Sequence, residues 1–485
     1  MDVAVGATVP ARPGSAGVGK TDSAARRWQA PAAIVCALVM VAATVEIVLD
    51  ASLEHSPLVP LQPSIATWLR ALGGERLGYR VFLIALLAFT LAYGVLLALV
   101  NAHARARTRA RAADDHDASP TGVAPTAEPG TIADRGVLGE RTLIRWAIGL
   151  VALLNLLVFI GPILLSTDVF SYIAYARMGV VHGIDPYTNG PTAIVHDPVF
   201  RYVGHDWLTV ATAYGPVYTL ISYPLGLIGV VGAVWGMKVY ALIASAVTLM
   251  LTWRVARRRG HDRVFALLAV GGNPLYVIYG LGGAHNDLIM LALMMGAVAL
   301  TLADREASAG AAVVAGALVK ATVAVMLPFM VLARRRLTPV LGALAALIAG
   351  GIAGYLAFGI HGIDVVSALN RDSAFVSIDS FPNELAHLVG KPGVFPVDHD
   401  LLKAALVRIL VHLAYRTWRG YDWVAASGWA LLAISVTSTW LLAWYILWPL
   451  PLAVVTRDRR LLAATLFVQG LFVIHQTAPL LVPVK

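Results

Sequence analysis

Long apolar runs separated by short polar stretches dominate the chain from about residue 30 onward. A helix needs about 20 mostly apolar residues to cross a hydrocarbon core roughly 30 Å thick. The fold class that this pattern predicts is an all-α polytopic membrane protein with about thirteen transmembrane helices. The predicted spans lie near 30–49, 79–100, 144–166, 235–253, 264–281, 286–303, 308–320, 321–333, 338–358, 401–416, 423–442, 444–456 and 461–482.

Three of these spans are too short for a full crossing: 308–320, 321–333 and 444–456. Short elements at membrane depth persist only where protein or a water-filled cavity surrounds them, so we expect the bundle to enclose a polar cavity near its outer face. The stretch 207–233 is apolar enough for another span. Pro216 and Pro224 instead favour helices that lie in the interface or dip into it.

Composition places the chain in lipid rather than in water. Charged residues make up 13% of its 485 residues and hydrophobic residues 58%, with a mean hydropathy of +0.74, whereas a soluble domain carries about 25% charged residues. Soluble globular, disordered and disulfide-rich classes are thereby excluded. Cys36 is the single cysteine, so the chain has no intrachain disulfide and no cysteine-rich metal site.

The formal charge of +9 matters through its distribution, and it does not indicate a nucleic-acid partner in this setting. Basic clusters at 254–263, 334–336 and 457–460 can all be placed in the cytoplasm by alternating spans. The segment 361–400, whose acidic residues outnumber its basic ones, then lies outside. This contrast supports the predicted alternation.

The same topology divides the chain into functional segments. Residues 1–28 form a cytoplasmic N-terminal tail, and residues 29–485 form the polytopic domain. Within that domain we interpret 102–143 as a flexible cytoplasmic linker, 167–234 as an outer loop with interfacial helices, and 361–400 as a second outer loop.

Asp168 lies at the outer end of the third predicted span. Charge near a membrane is costly, so it needs a functional or a pairing explanation. Aspartate is a good helix N-cap. A carboxylate at a cavity mouth can also take a proton from a sugar hydroxyl as that oxygen attacks. The residues alone leave both roles open, and the two are compatible.

Two further polar stretches follow in the outer segments. Asp185 and Tyr187, in Gly-Ile-Asp-Pro-Tyr, belong to a predicted turn, and Arg177 precedes them with enough polarity for a substrate-lining loop. The histidines near this turn lack the helical spacing of metal ligands, so no metal site is predicted. In Gly-Gly-Ala-His-Asn-Asp, ending at Asp287, the loop has two possible roles. It either caps the next helix, or it faces an anionic leaving group through His285 and Asn286 with the help of the helix N-terminus.

Lys320 lies at the junction of two short spans, where it cannot easily reach the cytoplasm. It needs an anion there, and the two alternatives are a lipid-linked phosphate and a loop carboxylate. The later aromatic residues form either an interfacial belt or a surface on which a sugar ring stacks: Trp440, Trp444, Tyr445 and Trp448.

Several of these stretches, in this order, resemble a known family. They are Thr167-Asp168-Val169-Phe170-Ser171-Tyr172, Gly183-Ile184-Asp185-Pro186-Tyr187, Tyr214-Gly215-Pro216, Asn273-Pro274-Leu275, Gly282-Gly283-Ala284-His285-Asn286-Asp287, Val319-Lys320, Trp444-Tyr445 and Trp448-Pro449-Leu450-Pro451. Over roughly residues 140–460 the chain is similar to the polyprenyl-phosphomannose-dependent α-(1→6)-mannosyltransferases of actinobacterial lipoglycan synthesis, within the GT-C superfamily.

The resemblance implies a GT-C bundle in the plasma (inner) membrane, with a large periplasmic first catalytic loop that carries the essential acidic residue. That residue is Asp168 here. Protein O-mannosyltransferases carry an Asp-Glu pair at this place, and because Val169 follows Asp168, a protein acceptor is disfavoured. The implied reaction transfers mannose from polyprenyl-phosphate-mannose to a lipid-linked mannan without a cofactor.

In this hypothesis Asp168 is the general base, and Lys320 and His285 stabilise the leaving phosphate. The substrate-binding residues that we expect are Tyr172, Arg177, Asp185, Tyr187, Tyr214, His285, Asn286, Asp287, Lys320 and Tyr445.

The competing hypothesis is a transporter or flippase for a lipid-linked sugar, which explains the spans, the cavity and the buried charge equally well. A transport path should be polar through its whole depth, whereas the polar residues here crowd on one face. No repeat of the kind found in many transporters is evident either. A membrane scaffold for glycan assembly is a third, weaker hypothesis.

Overall fold

The computed structural model describes residues 18–52, 78–117, 140–372 and 375–481. Most of the predicted tail 1–28 and the middle of the predicted linker, 118–139, lie outside these residues. The described parts of the linker are helical: 102–117 continues the preceding helix, and 140–143 begins the next one. Both segment assignments therefore stay predictions.

All regular structure in the described residues is helical, which confirms the all-α prediction. The α-helices are α1 Val18–Ser52, α2 Tyr79–Asp117, α3 Glu140–Ile160, α4 Asp168–Val180, α5 Pro216–Gly226, α6 Gly229–Arg258, α7 Arg263–Gly271, α8 Asp287–Thr301, α9 Glu306–Ala317, α10 Met326–Arg334, α11 Thr338–Phe358, α12 Val365–Asp372, α13 Phe381–Leu388, α14 Pro396–Trp418, α15 Trp423–Thr437, α16 Leu450–Ala453 and α17 Arg459–Thr477. A π-helical turn, Leu275–Leu281, follows α7.

Five helices within the described ranges are long and apolar enough to cross a membrane. They are Pro31–Ser52, Tyr79–Ala106, Glu140–Ile160, Gly229–Arg258 and Thr338–Gly362. A sixth candidate is α7 together with the π-helical turn, bent by 49°. The bend has a local cause: Pro274 cannot donate a backbone hydrogen bond, and the Asn273 side chain accepts from the next two free N–H groups. The count of about thirteen stays a prediction.

The short elements expected from the sequence are short in the structure. The 3₁₀ turn Ala321–Val325 separates α9 from α10, and the 3₁₀ turn Ala443–Leu447 precedes the four-residue helix α16. The stretch 207–233 is interrupted, because α5 begins at Pro216 and α6 begins at Gly229 and runs further than the predicted span 235–253. These interruptions bring non-helical backbone into the interior of the bundle.

The basic clusters meet at one end of the bundle. Arg259 pairs with Asp422, Arg263 with Glu140, and the Arg335 guanidinium donates to the Trp418 carbonyl. Helix α3 starts at this end, at Glu140, and leads to the opposite end, where Asp168 begins α4. The structure thus separates a basic end from an end that carries the candidate chemistry.

Lys238, buried in α6, holds the C-terminal end of α3. Its ammonium donates to the carbonyls of Val158 at 3.4 Å, Gly161, and Pro162 at 3.5 Å. The last carbonyls of a helix lack intrahelical partners, and a helix C-terminus favours a cation. This contact fixes the loop that leads from α3 to Asp168.

Candidate active site

Three loops converge at the end of the bundle opposite the basic clusters. The Leu164 N–H donates to the Gly282 carbonyl at 3.0 Å, which ties the loop before α4 to the loop before α8. Leu165 and Ala284 adopt left-handed φ values of 57° and 52°. Such a conformation costs about 1–3 kcal/mol for a residue with a side chain, and it persists only where the surrounding structure enforces it. Both strained residues lie within three positions of a candidate site residue.

Asp168 is the first residue of α4, and its carboxylate faces the interior. Its Oδ2 lies 3.5 Å from the Tyr172 hydroxyl and 3.6 Å from His285 Nδ1. Within the described first turn of α4, no backbone N–H bonds this carboxylate, so the capping role is not the one seen. Its side chain is 12% exposed.

The surroundings of Asp168 shift its protonation. Burial raises its pKa to about 6, the charge of Lys320 opposes this rise, and the charge of Asp287 adds to it. A carboxyl group normally titrates near 3.9. Asp168 is therefore a stronger base than an exposed aspartate while it stays mostly ionised at pH 7.

Tyr172 and His285 are the side chains that contact the Asp168 carboxylate. The Tyr172 hydroxyl lies 3.5 Å from His285 Nδ1 and 3.4 Å from the Asn286 side-chain oxygen, and it has one proton to donate among these acceptors. Burial lowers the pKa of His285 well below its usual value, and Lys320 adds to this effect, so the imidazole is neutral. Its ring stacks on Trp444 with centroids 3.5 Å apart.

The position of His285 bears on its expected role, which stays a prediction. We expected His285 beside a leaving phosphate, but its ring is sealed in the interior at 1% exposure and faces Asp168. Asn286 is equally buried and contacts Tyr172. The structure groups both residues with the carboxylate instead of opening them to an anion.

Lys320 and Asp287 form a second charged pair, in which the carboxylate is buried and the ammonium is slightly exposed. The Lys320 ammonium lies 2.9 Å from the Asp287 carboxylate, which also accepts from the Trp448 indole N–H at 2.6 Å. The ammonium lies 4.2 Å from the Tyr445 ring centroid and 5.3 Å from that of Trp448. Of the two partners left open by the sequence, the structure shows the loop carboxylate, and cation–π contacts add to it.

The Asp168 and Lys320 side chains lie in one region of the site, because the charge of Lys320 acts on the Asp168 carboxylate. The charge of Lys320 lowers the pKa of Asp168, so the two charges lie near each other. Among the described ion pairs, however, Asp168 and Lys320 are not paired with each other. The Lys320 side chain is 15% exposed, comparable with Asp168. The site thus contains a carboxylate and an ammonium that are each slightly exposed and that interact electrostatically.

Tyr214 borders this region on a loop that Gly215 allows to approach closely. A Cβ at Gly215 would lie 2.0 Å from the Leu318 carbonyl oxygen, so only glycine fits there. The Gly215 N–H donates to the Val319 carbonyl at 3.4 Å, one residue before Lys320. The Tyr214 ring meets Tyr172 edge to face at 4.7 Å. The Tyr-Gly-Pro stretch therefore joins the segments that carry Lys320 and Tyr172.

Asp185 and Tyr187 form their hydrogen bonds with other residues of the outer segment and not with Asp168 or Lys320. The Asp185 carboxylate accepts from the Tyr187 N–H at 2.8 Å, as the predicted turn requires. The Tyr187 hydroxyl donates to the Tyr214 carbonyl at 2.9 Å and lies 3.0 Å from the Thr219 hydroxyl. Both residues hold the Tyr214 loop in place, so we interpret them as positioning residues.

Arg177 belongs to a separate cluster. Its guanidinium donates to Asp197 at 2.8 Å and to the Gly226 carbonyl at 2.8 Å, and His182 lies 2.7 Å from Asp197. Burial opposes ionisation of Asp197, but the hydrogen bonds from Arg177 and His182 lower its pKa. These contacts brace the outer loop, and we leave Arg177 out of the substrate-binding set.

The sequence left the role of two tryptophans open and gave no indication of one tyrosine of the site. Trp444 and Trp448 are 5% and 1% exposed and contact His285 and Asp287, so they do not form a lipid-facing belt. Tyr218, which packs on Tyr172 at 5.0 Å, was not singled out. Its place in an apolar stretch gave no signal. Among the described residues, no group of three His, Cys, Asp or Glu is arranged to hold a metal ion.

Two family models match the chain. The model for the N-terminal domain of α-(1→6)-mannopyranosyltransferase matches residues 33–336, and the model for glycosyltransferase family 87 matches residues 212–483. The second match, together with the all-α bundle, supports a GT-C-like membrane fold.

Curated proteins are also similar to the chain. "Alpha-(1->6)-mannopyranosyltransferase A" of Mycobacterium tuberculosis is 29% identical over 364 residues, which cover 67% of this chain and 69% of that protein. The protein of the same name from Corynebacterium glutamicum is 33% identical over 178 residues, which cover 36% of each chain. No solved structure matches the chain significantly.

The close approach at Gly215 gives a test of this architecture. Its φ of −63° suits alanine, so any effect of Gly215→Ala is steric. We expect the added methyl group to force the two loops apart and to destabilise the protein by about 1–3 kcal/mol, as overpacking does. Thermal unfolding of the purified protein in detergent measures this loss. Gly351→Ala is the control, because a Cβ there meets no atom within 4 Å. Equal melting temperatures for the two variants would contradict the proposed contact.

Proposed function

Because the chain belongs to the family of α-(1→6)-mannopyranosyltransferases and is a glycosyltransferase, we propose that it transfers mannose from polyprenyl-phosphate-mannose to a hydroxyl of a lipid-linked mannan. We place the reaction at the outer face of the plasma (inner) membrane. The observation that carries the proposal is a partly open carboxylate, Asp168, beside a partly open ammonium, Lys320, at the end of the bundle opposite the basic clusters. Because the members of this family are named as glycosyltransferases, we prefer an enzyme to the transporter of the competing hypothesis.

Asp168 acts as the general base in this proposal. The acceptor hydroxyl loses its proton to the Asp168 carboxylate while its oxygen attacks the anomeric carbon of mannose. The bond from that carbon to the phosphate oxygen breaks, and its electron pair leaves with the phosphate. Attack from the opposite side inverts a β-linked donor to an α linkage. Tyr172 and neutral His285 hold the base at 3.5 and 3.6 Å.

Lys320 stabilises the departing phosphate. The leaving group is a phosphate monoester, which needs charge stabilisation rather than a proton. An ammonium carries three donors, and the two oxygens of Asp287 take at most two of them. Asp287, held by Trp448, thus fixes the ammonium without exhausting it. This assigns the phosphate to Lys320 and assigns His285 to orienting Asp168.

The Tyr214 and Tyr445 rings lie beside the residues that carry or support the two charged groups. Tyr214 packs against Tyr172, which contacts the base, and Tyr445 lies under the Lys320 ammonium. Aromatic rims of this kind suit a sugar ring, whose C–H face is apolar while its hydroxyls are polar. In this proposal the mannosyl group lies between these two rings.

Asp168→Asn tests the base. The amide keeps the shape but cannot accept the proton, and we expect transfer to fall by about 10²–10⁴-fold. The assay uses purified protein, synthetic polyprenyl-phosphate-mannose and an oligomannoside acceptor. Asp206→Asn is the matched control, since that carboxylate lies in the same outer segment with its side chain 93% exposed. Near-normal turnover by Asp168→Asn would refute the assignment.

Lys320→Met tests the phosphate role. Without the ammonium we expect kcat/KM for the donor to fall by about 10²–10³-fold, while the acceptor KM changes little. Steady-state kinetics with each substrate varied in turn separate the two effects. Lys403→Met, an exposed lysine of α14, serves as the control. A donor dependence that stays unchanged in Lys320→Met contradicts the role.

Cysteine labelling tests the proposed orientation. In a Cys36→Ser background, one cysteine is introduced at either of two positions. The first is Leu388, which ends α13 in the predicted second outer loop and is 83% exposed, and the second is Arg258 at the basic end. A membrane-impermeant maleimide should label the Leu388→Cys protein in intact cells. It should label the Arg258→Cys protein only after permeabilisation. The reverse pattern would place the site in the cytoplasm.

A further inference from the structure

A cavity of about 920 Å³ opens at the basic end of the bundle. Helices α2, α7 and α17 form its walls, and its lining contains none of the residues assigned to mannosyl transfer. Along α2 the lining runs from Thr90 to Arg105, which at 1.5 Å per residue is about 22 Å. That length exceeds one leaflet of a hydrocarbon core roughly 30 Å thick. The cavity is therefore a slot of leaflet depth.

Three arginines line the mouth of this slot: Arg105, Arg457 and Arg459. Among the side chains that the structure describes, none of the three has an ion-pair partner. Two carboxylates also line the slot, and each accepts hydrogen bonds from neighbouring groups rather than pairing with these arginines. Asp262 caps α7 by accepting from the Phe265 N–H at 2.8 Å, and Asp458 accepts from the Tyr421 hydroxyl and from the Trp429 indole N–H at 3.0 Å. The mouth thus presents cationic groups to whatever enters.

The inner part of the slot is apolar. Leu97, Phe265, Leu466 and Val473 line it, and the polar pair at its floor, Asn273 and Gln469, is already joined by a hydrogen bond of 2.8 Å. Gly94 and Gly470 widen it, because a Cβ at either position would meet no atom within 4 Å. A ligand that fits this slot is anionic at the end that meets the arginines and apolar along the rest of its length.

We infer that this cavity binds an anionic phospholipid, with its phosphate at the three arginines and one acyl chain in the slot. Charge complementarity selects the headgroup, and the apolar walls of leaflet depth select a lipid over a free phosphate. Basic pockets between membrane helices at the cytoplasmic side suit anionic headgroups for the same reason. The bound lipid bridges α2 and α17 and so stabilises the folded protein.

Lipid-dependent stability tests the inference without reference to catalysis. Delipidated full-length protein in detergent is heated with phosphatidylglycerol, with phosphatidylcholine of the same chains, or with inorganic phosphate. We expect phosphatidylglycerol alone to raise Tm, by at least ~3 °C. Equal shifts with both lipids would overturn the headgroup contact. The same shift with inorganic phosphate would overturn the lipid.

Two variants locate the effect. Arg457→Gln/Arg459→Gln should lose the phosphatidylglycerol increment, whereas Arg257→Gln/Arg258→Gln, exposed at the same end but outside the slot, should keep it. Gly94→Leu/Gly470→Leu should fill the slot and also lose the increment. If the control loses as much as the slot variants, the site is wrong. Native mass spectrometry of the wild type with both lipids in competition decides the case should a variant fail to fold, and equal retention of the two lipids overturns the inference.

Discussion

Two buried carboxylates, Asp168 and Asp287, lie near one ammonium, that of Lys320. The properties of the site follow from this excess of negative charge. Lys320 contacts Asp287, where the Trp448 indole and the N-terminus of α8 add to the stabilisation of the negative charge. Asp168 lies near the same ammonium, and besides Ser166 its neighbours are a tyrosine hydroxyl and a neutral imidazole at 3.5 and 3.6 Å. A buried carboxylate with so few partners is destabilised in its charged form, which is why the Asp168 pKa rises.

Strained and closely packed backbone segments hold this arrangement in place. Leu165 and Ala284 hold left-handed conformations on the two loops that deliver Asp168 and His285. Gly215 lets the Tyr214 loop press on the backbone before Lys320. Lys238 secures the end of α3 from which the first loop departs. Each of these contacts acts on a loop and not on a side chain of the site, so the geometry depends on residues well outside it.

The sequence revealed those parts of the fold and site that break a local rule. Asp168 and Lys320 stood out because a charge in apolar surroundings needs a reason, and the short spans near 308–333 and 444–456 stood out by length. Contacts between distant segments left no local trace. The sealed position of His285 under Trp444, the bracing of Arg177 by Asp197 and the approach of Gly215 to Leu318 all depend on how loops meet. Residue type alone could not distinguish a loop histidine that faces an anion from one that supports a carboxylate.

The pH dependence of mannosyl transfer tests the central claim most directly. If the perturbed Asp168 carboxylate is the base, kcat/KM is low where it is protonated, rises through its pKa of about 6 and reaches a plateau above it. Because the Lys320 charge lowers that pKa, the residual activity of Lys320→Met should show the same rise at higher pH. The neighbouring groups Tyr172, Tyr214 and Tyr218 have pKa values raised well above 10, so they do not produce this limb. A rate that stays constant through this range, or falls as pH increases, would contradict the account.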